Sequence, residues 1–271
     1  MVDFIAYSGL SDPGWKQTAD TINEDYVWIN DRDFGDDMIF AAVADGSGSK
    51  KDSFRPSSIA VRQIDTMLKR FYDKDPAFFK ESSRAILENC VFAANDVLTA
   101  FKLGDEADRY GYATTITCAL ITRDGKLTGA HAGNTRLCLL RDQRTIQLTK
   151  DHTKAQQMID RGEMPPERAF VSVEKLILNS GLGMYPDPQV QTFQLKLKED
   201  DILILTSDGI HYSFPDDQYL QIILDSKDLD EAAKKFVQTA KDVKTYSDNI
   251  SVCLMWYLGA HPQAAESGGD K

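Results

Sequence analysis

Four short segments, spread from Asn23 to Asn249, offer acids suited to a metal site: Asn23-Glu24-Asp25, Asp45-Gly46, Ser207-Asp208-Gly209 and Ser247-Asp248-Asn249. Hard divalent cations take several carboxylate oxygens converging from different parts of a chain. Three of the four segments stand at the edge of an apolar run that reads as a β-strand, and a strand end holds a carboxylate more rigidly than the middle of a loop. Singly, each segment also reads as punctuation: Asp-Gly after a strand is a common turn, and Ser-Asp-Asn a common turn or cap. Repetition lifts the pattern above that. Asp45-Gly46 closes the run Met38–Ala44, with Gly46 expected to turn the backbone sharply and expose its carbonyl. Asp208-Gly209 follows Ile202–Thr206 in the same way, so two strand-end aspartates can share a cation. Asp248 precedes the last strand and would enter from the opposite chain direction.

The elements that must position these acids are legible in outline. Strands are expected at 4–8, 26–30 and 38–44. Two long helices follow, at 57–72 behind Pro56 and at about 76–102, the second with Phe79, Ile86, Leu87, Val91, Ala94 and Leu98 at helical spacing. The texture then becomes β-rich. Runs at 113–122, 127–132 and 136–140, joined by the short turns Arg123-Asp124-Gly125-Lys126 and Gly133-Asn134, predict an antiparallel meander. A short helix at 153–161, an irregular segment at 163–168, strands at 190–197 and 202–206, helices at about 216–224 and 228–240, and a strand at 250–257 complete the order. This is no βαβ alternation, so a doubly wound parallel sheet is excluded; helices covering a two-layer antiparallel sheet system fit instead. We expect one domain over 1–259 and a disordered polar tail over 260–271.

Composition narrows the function classes. The chain has 271 residues, 42% of them apolar, and a formal net charge of -11 from 31 basic and 42 acidic residues. Such an acidic surface is repelled by phosphate backbones and anionic lipid, so neither nucleic acid nor membrane is an expected partner. Cys90, Cys118, Cys138 and Cys253 are scattered through apolar stretches with no paired spacing, as core thiols of a reducing compartment would be. With no secretory leader and no apolar stretch of the ~20 residues that a bilayer requires, a cytoplasmic protein is expected.

The four segments, in this order and with the motifs between them, resemble the metal-dependent type-2C (PPM-type) serine/threonine protein phosphatases, in an atypical bacterial-like form. The resemblance runs from about Asp12 to Met255 and includes Gly111-Tyr112-Ala113-Thr114-Thr115, Ala130-His131-Ala132-Gly133-Asn134-Thr135-Arg136, Leu148-Thr149-Lys150-Asp151-His152-Thr153 and Asn179-Ser180-Gly181-Leu182-Gly183. It implies an α+β fold, a four-layer αββα sandwich of two antiparallel sheets flanked by helix pairs. It also implies two Mg²⁺ or Mn²⁺ ions in a cleft. Asp45 would bridge them, the Gly46 carbonyl would bind one, Asp208 and Asp248 would hold the other, and Glu24 and Asp25 would act more weakly, partly through water. Asp45, Asp208 and Asp248 would thus be catalytic through the metals. A water between two cations is acidified to hydroxide near neutral pH and can attack phosphorus in line.

The chain departs from the family's pattern at several points. The family's phosphate-gripping Arg is replaced by Asp20, which cannot do a guanidinium's work. Lys50, Lys51 and Arg55 after the Asp45-Gly46 turn are the preferred substitutes, with Lys16 a further candidate. Asn134 stands where bacterial relatives carry an Asp that helps to hold a third metal, which makes a third site weak or absent here. Ser47 is a poor general acid. His131 and His152 read as structural hydrogen-bonders, Arg136 as structural, and His211 as a remote candidate acid. The resemblance therefore implies hydrolysis of phosphoserine and phosphothreonine on proteins, with an opposing serine/threonine kinase as counterpart and a monomer expected. The alternative is a low-activity module on the same fold that senses or sequesters a phosphoprotein. The stretch 160–168 falls where the family has a variable flap beside the cleft, and is expected to bear on substrate choice.

Overall fold

The structure is a computed structural model and describes residues 2–15, 22–47, 55–102, 112–243 and 248–260. In chain order the strands are β1 (Ile5–Asp12), β2 (Asp25–Asn30), β3 (Met38–Ser47), β4 (Ala113–Thr114), β5 (Ile116–Thr122), β6 (Lys126–Ala132), β7 (Arg136–Arg141), β8 (Arg144–Gln147), β9 (Gln191–Lys196), β10 (Ile202–Thr206) and β11 (Ile250–Tyr257). The helices are α1 (Arg55–Lys74), α2 (Pro76–Lys102), α3 (Lys154–Asp160), α4 (Pro166–Ala169), α5 (Asp208–His211), α6 (Tyr219–Leu224) and α7 (Leu229–Asp242), with 3₁₀ turns at Val173–Leu176 and Asp216–Gln218.

Two sheets form, with strand orders β1-β11-β10-β7-β8 and β2-β3-β5-β6-β9, and β4 adds to the end of β3. Every strand pairing is antiparallel. The period-2 alternation of a strand explains the layering. On β3, Ile39, Ala41 and Val43 join Leu203, Leu205 and Met255 in a core between the sheets. Phe40, Ala42 and Ala44 point the other way, into the core shared with Ile64, Leu68, Leu87 and Val91 of α1 and α2. On β10, Leu203 and Leu205 face inward while Ile202 and Ile204 pack with Tyr219 of α6 and Phe236 of α7. Both faces of these strands are buried, so both read as continuous apolar runs. The result is the expected αββα sandwich, and the four thiols lie free and buried in its cores.

Several boundaries differ from the sequence-based expectation. Thr115 breaks the expected 113–122 strand: its backbone N–H turns to the Asp45 carbonyl at 2.9 Å. The 163–168 stretch is not wholly irregular, because Pro165 is extended and Pro166 starts the one-turn helix α4. The sharp turn expected at Gly46 is absent. β3 runs on through Asp45 and Gly46 to Ser47, with Asp45 opposite Asp25 and Gly46 opposite Thr114. Pairing on both edges overrides the poor strand propensity of Asp and Gly. The 261–271 part of the expected tail lies outside the described residues.

One glycine closes the inter-sheet core. Gly129 faces Phe193 across the β6–β9 ladder, and a Cβ there would stand 2.3 Å from the ring's Cζ. Gly129→Val must push the ring out of its packing and should cost about 1–3 kcal/mol. Urea unfolding measures this; an unchanged midpoint would mean that the ring moves aside without cost.

Candidate metal centre

The strand ends bring the four acidic segments together. Asp25 begins β2 directly opposite Asp45 on β3. Next to this pair, the Gly46 N–H donates to the Glu24 carbonyl at 3.1 Å, and the Ser57 hydroxyl from the first turn of α1 donates to the same oxygen at 2.6 Å. In the other sheet, the end of β10 is laced to the start of β11. Ser207 N–H donates to the Ser251 carbonyl, and Ser251 N–H to the Ser207 hydroxyl, each at 3.0 Å. That brings Asp208, the first residue of α5, to the segment Asp248-Asn249, against which Gly209 packs.

Asn249 joins the two sheets. Its Oδ1 accepts from Glu24 N–H at 2.8 Å and its Nδ2 donates to the Pro13 carbonyl at 3.1 Å, while its own N–H donates to Asp248 Oδ1 at 2.9 Å. Two glycines make room for this crossing. A Cβ on Gly209 would fall 2.0 Å from the Asn249 carbonyl oxygen, and one on Gly14, whose φ is +71°, 2.0 Å from that of Asp248. Gly209 therefore serves close approach rather than a turn. Asn249 and Ser207 stand inside the segments read from the sequence but have no role of their own in that reading, and Gly14 and Ser251 have none either; position near an acid is the only signal.

The cluster is electrostatically strained. Half-buried Asp45 holds its proton well above the usual carboxylate range, first because it is withdrawn from water and then because the charges of Asp208, Asp25, Asp248 and Glu24 act on it. Asp25 is pushed up to about 7, again by burial first, with Asp248 adding repulsion. The Ser207 and Ser251 hydroxyls lie close enough to oppose that rise, yet neither buried oxygen of Asp25 receives a hydrogen bond of normal geometry. Carboxylates in this number, buried at Asp25 and Asp208 and half-buried at Glu24, Asp45 and Asp248, fit a hard divalent cation, which would replace repulsion by coordination. Among the described residues no three such side chains yet converge on one point. Sheet pairing fixes the backbones, so drawing the oxygens onto an ion falls to rotation about side-chain bonds.

Other expected residues divide clearly. Asn134 is buried and turns its NH₂, not its carbonyl, to Asp208, donating to Oδ2 at 3.1 Å and to the Tyr212 hydroxyl at 3.3 Å. Arg136 forms a bidentate pair with Asp151 at 2.9 and 2.7 Å, a structural role. His131 Nε2 donates to the Lys150 carbonyl at 3.1 Å, and burial pushes its ring down to about 3. His152 Nδ1 accepts from Gly133 N–H at 3.2 Å. His211 is corrected as a candidate acid: it is buried, its Nδ1 meets the Thr206 hydroxyl at 3.0 Å, and burial holds the ring neutral. Lys16, Asp20, Lys50 and Lys51, and the side chain of Arg55, lie outside the described residues. A basic residue the sequence reading passed over is Lys175. Its ammonium stands 4.4 Å from the centre of the Tyr212 ring, and Asp208 is the foremost charge stabilising it against burial.

Comparison with known proteins bears on the family and the fold. The chain is 27% identical over 220 residues to the serine/threonine phosphatase stp of Listeria monocytogenes, covering 81% of this chain and 85% of that one. It is 26% identical over 251 residues to the protein phosphatase PhpP of Streptococcus pneumoniae, covering 91% and 95%. The crystal structure of the Mycobacterium tuberculosis serine/threonine phosphatase PstP/Ppp superposes with a TM-score of 0.78 at 25% identity, covering 93% of this chain and 98% of that one. The PstP catalytic domain in complex with two manganese ions superposes at 0.74, also at 25% identity, covering 93% and 97%. The family model described as Protein phosphatase 2C matches residues 16–250, and the chain belongs to that family.

Proposed function

We infer that this chain is a metal-dependent serine/threonine protein phosphatase that hydrolyses phosphoserine and phosphothreonine on proteins. The observation that carries the reading is that the sheet pairing brings the four acidic segments to one end of the sandwich, with Asp25 opposite Asp45 and Asn249 tied to Glu24. Two divalent cations, Mg²⁺ or Mn²⁺, would supply an acidified water as nucleophile and neutralise charge on the phosphoryl oxygens. Asp45 would lie between them with the Gly46 carbonyl on one; Asp208 and Asp248 would hold the other; Glu24 and Asp25 would support them through water. Asn249 keeps the Glu24 and Asp248 segments in register, and Asn134 orients Asp208 from behind. No cysteine or histidine serves as nucleophile: burial pushes the four thiols up to about 12. An acid-only cluster is costly to keep without a cation, which weighs against the module that binds without turnover. We further propose a single-copy enzyme of the cytoplasm, with a serine/threonine kinase making its substrate.

Three expected outcomes follow from the cluster. Mn²⁺ should support hydrolysis of an aryl phosphate and a phosphothreonine peptide. Asp208→Asn should lower it by at least the roughly 10–100-fold that loss of a supporting partner costs a metal site. Wild-type turnover no better than that of the variant would sink the enzyme reading.

Gly209→Ala should separate the Asp208 and Asp248 segments and weaken Mn²⁺ binding by about tenfold. Calorimetry on the folded variant checks this, and an unchanged affinity would show that the close approach is dispensable.

The third outcome concerns pH. Without metal, Asp25 keeps its proton to about pH 7 when folded but only to about pH 4 when unfolded. In between, the folded state binds the extra proton, so ionising Asp25 costs stability as pH rises. The buried histidines tilt the curve the other way, but they are common to both chains in a comparison with Asp25→Asn. The metal-free variant should therefore gain on wild type between pH 4 and pH 8, by about 2–4 kcal/mol. A pH-independent difference in urea titrations would contradict the strained cluster.

A further inference from the structure

The stretch 170–177 is poorly anchored by burial. Val171, Val173, Leu176 and Ile177 are 79%, 70%, 50% and 47% exposed, and no residue of the Val173–Leu176 turn is buried. Two ties of 2.8 Å reach it from the rest of the molecule: one is from Lys154 N–H of α3 to the Ile177 carbonyl, and the other leads to the metal centre. The Tyr212 hydroxyl donates to the Lys175 carbonyl at 2.8 Å and accepts from Asn134 Nδ2 at 3.3 Å. The same Asn134 nitrogen donates to Asp208 Oδ2 at 3.1 Å. The proton order is fixed by chemistry: a carboxylate and a carbonyl can only accept, the amide has two hydrogens to give, and a phenol can give one and take one. Tyr212 and Asp208 are also the two ends of one helical turn, with Tyr212 N–H donating to the Asp208 carbonyl at 2.9 Å. Tyr212 is buried, so its ring is held in place.

We propose that Tyr212 is a positioning residue that couples the 170–177 stretch to the metal ligand Asp208, through the chain of bonds Asp208–Asn134–Tyr212–Lys175. The proposal rests on the reading that Asp208 holds a cation. A cation fixes the carboxylate in one orientation, which fixes the Asn134 amide, which fixes the phenol that holds the Lys175 backbone. Metal binding thereby tightens a surface segment, which opens less often when the site is loaded. The tie runs to the Lys175 carbonyl, so the ammonium is not part of it.

Hydrogen exchange with and without saturating Mn²⁺, beside Mn²⁺ calorimetry, tests this. In the wild type, Mn²⁺ should slow amide exchange in 170–177 by at least about threefold. Tyr212→Phe keeps the ring and its contact with the Lys175 ammonium but removes the hydroxyl, and its metal-induced protection should fall to near one-fold. Asn134→Ala cuts the same chain at its middle and should behave alike, which keeps the test intact if one variant folds poorly. Lys175→Met should retain the protection. Equal protection in Tyr212→Phe and wild type overturns the proposal, as does its loss in Lys175→Met. Mn²⁺ binding to the wild type without protection overturns the coupling alone. No Mn²⁺ binding at all overturns the metal reading and the coupling with it.

Discussion

Repulsion among clustered carboxylates, two buried and three half-buried, is the constraint around which the rest of the molecule is arranged. Asp25 and Asp45 stand directly opposite on paired strands, where like charges destabilise a sheet. Asp208, Asp248 and Glu24 add to the same field, and burial amplifies it. A small or loosely packed fold would relieve this by letting the strand ends splay. Here two of them cannot splay, because they continue into strands buried on both faces: β3 between the helix core and the inter-sheet core, β10 between the inter-sheet core and α6/α7; half-buried β2 is held by its pairing with β3. Apolar burial thus holds in place a constellation that its own electrostatics oppose. Strain of this kind is expected where function rather than stability dictates the residues.

The connection between the two sheets depends on neutral polar groups. Asn249 reaches from the β11 end to the Glu24 backbone and to Pro13, and the Ser207–Ser251 pair closes the β10–β11 junction. These groups satisfy backbone donors and acceptors near the acids without adding charge, and leave carboxylate oxygens for a cation. Asn134 extends the logic to the outer side of Asp208. An Asp at that position would add a further negative charge to the cluster; the amide instead donates a hydrogen bond to it.

Sequence reasoning recovered the layering because its signals are strong. The double-faced apolar runs of β3, β10 and β11 and the helical spacing of α2 are long, periodic patterns, and the observed spans of β10 and β11 equal the expected ones. It failed where local chemistry is overruled by pairing. Asp-Gly after an apolar run reads as a turn, yet Asp45 and Gly46 are ladder residues, since β2 and β4 supply partners that no local window contains. β8, with four residues and only one apolar position, carries too short a pattern to be seen. In the site, the acids were legible because carboxylates of this number and order have few other uses. Asn249 was not, because an Asn beside an Asp is indistinguishable from a turn until its side chain is seen crossing to the other sheet.

The same contrast bears on how the substrate phosphate is met. Cations held by these acids would themselves bring positive charge to a phosphoryl group, so the chain would need a separate basic side chain only for the part of the phosphate that the metals do not reach. Asp20 cannot provide it. Lys175 is the described residue with a basic head nearest in kind to that need: it stands over Tyr212 and within the field of Asp208. Yet its ammonium also donates to the Phe170 carbonyl at 2.6 Å. A lysine committed to its own surface turn acts first on the position of that turn. The route by which Asp208 reaches that turn is polar and three hydrogen bonds long, two of them buried and the last partly so.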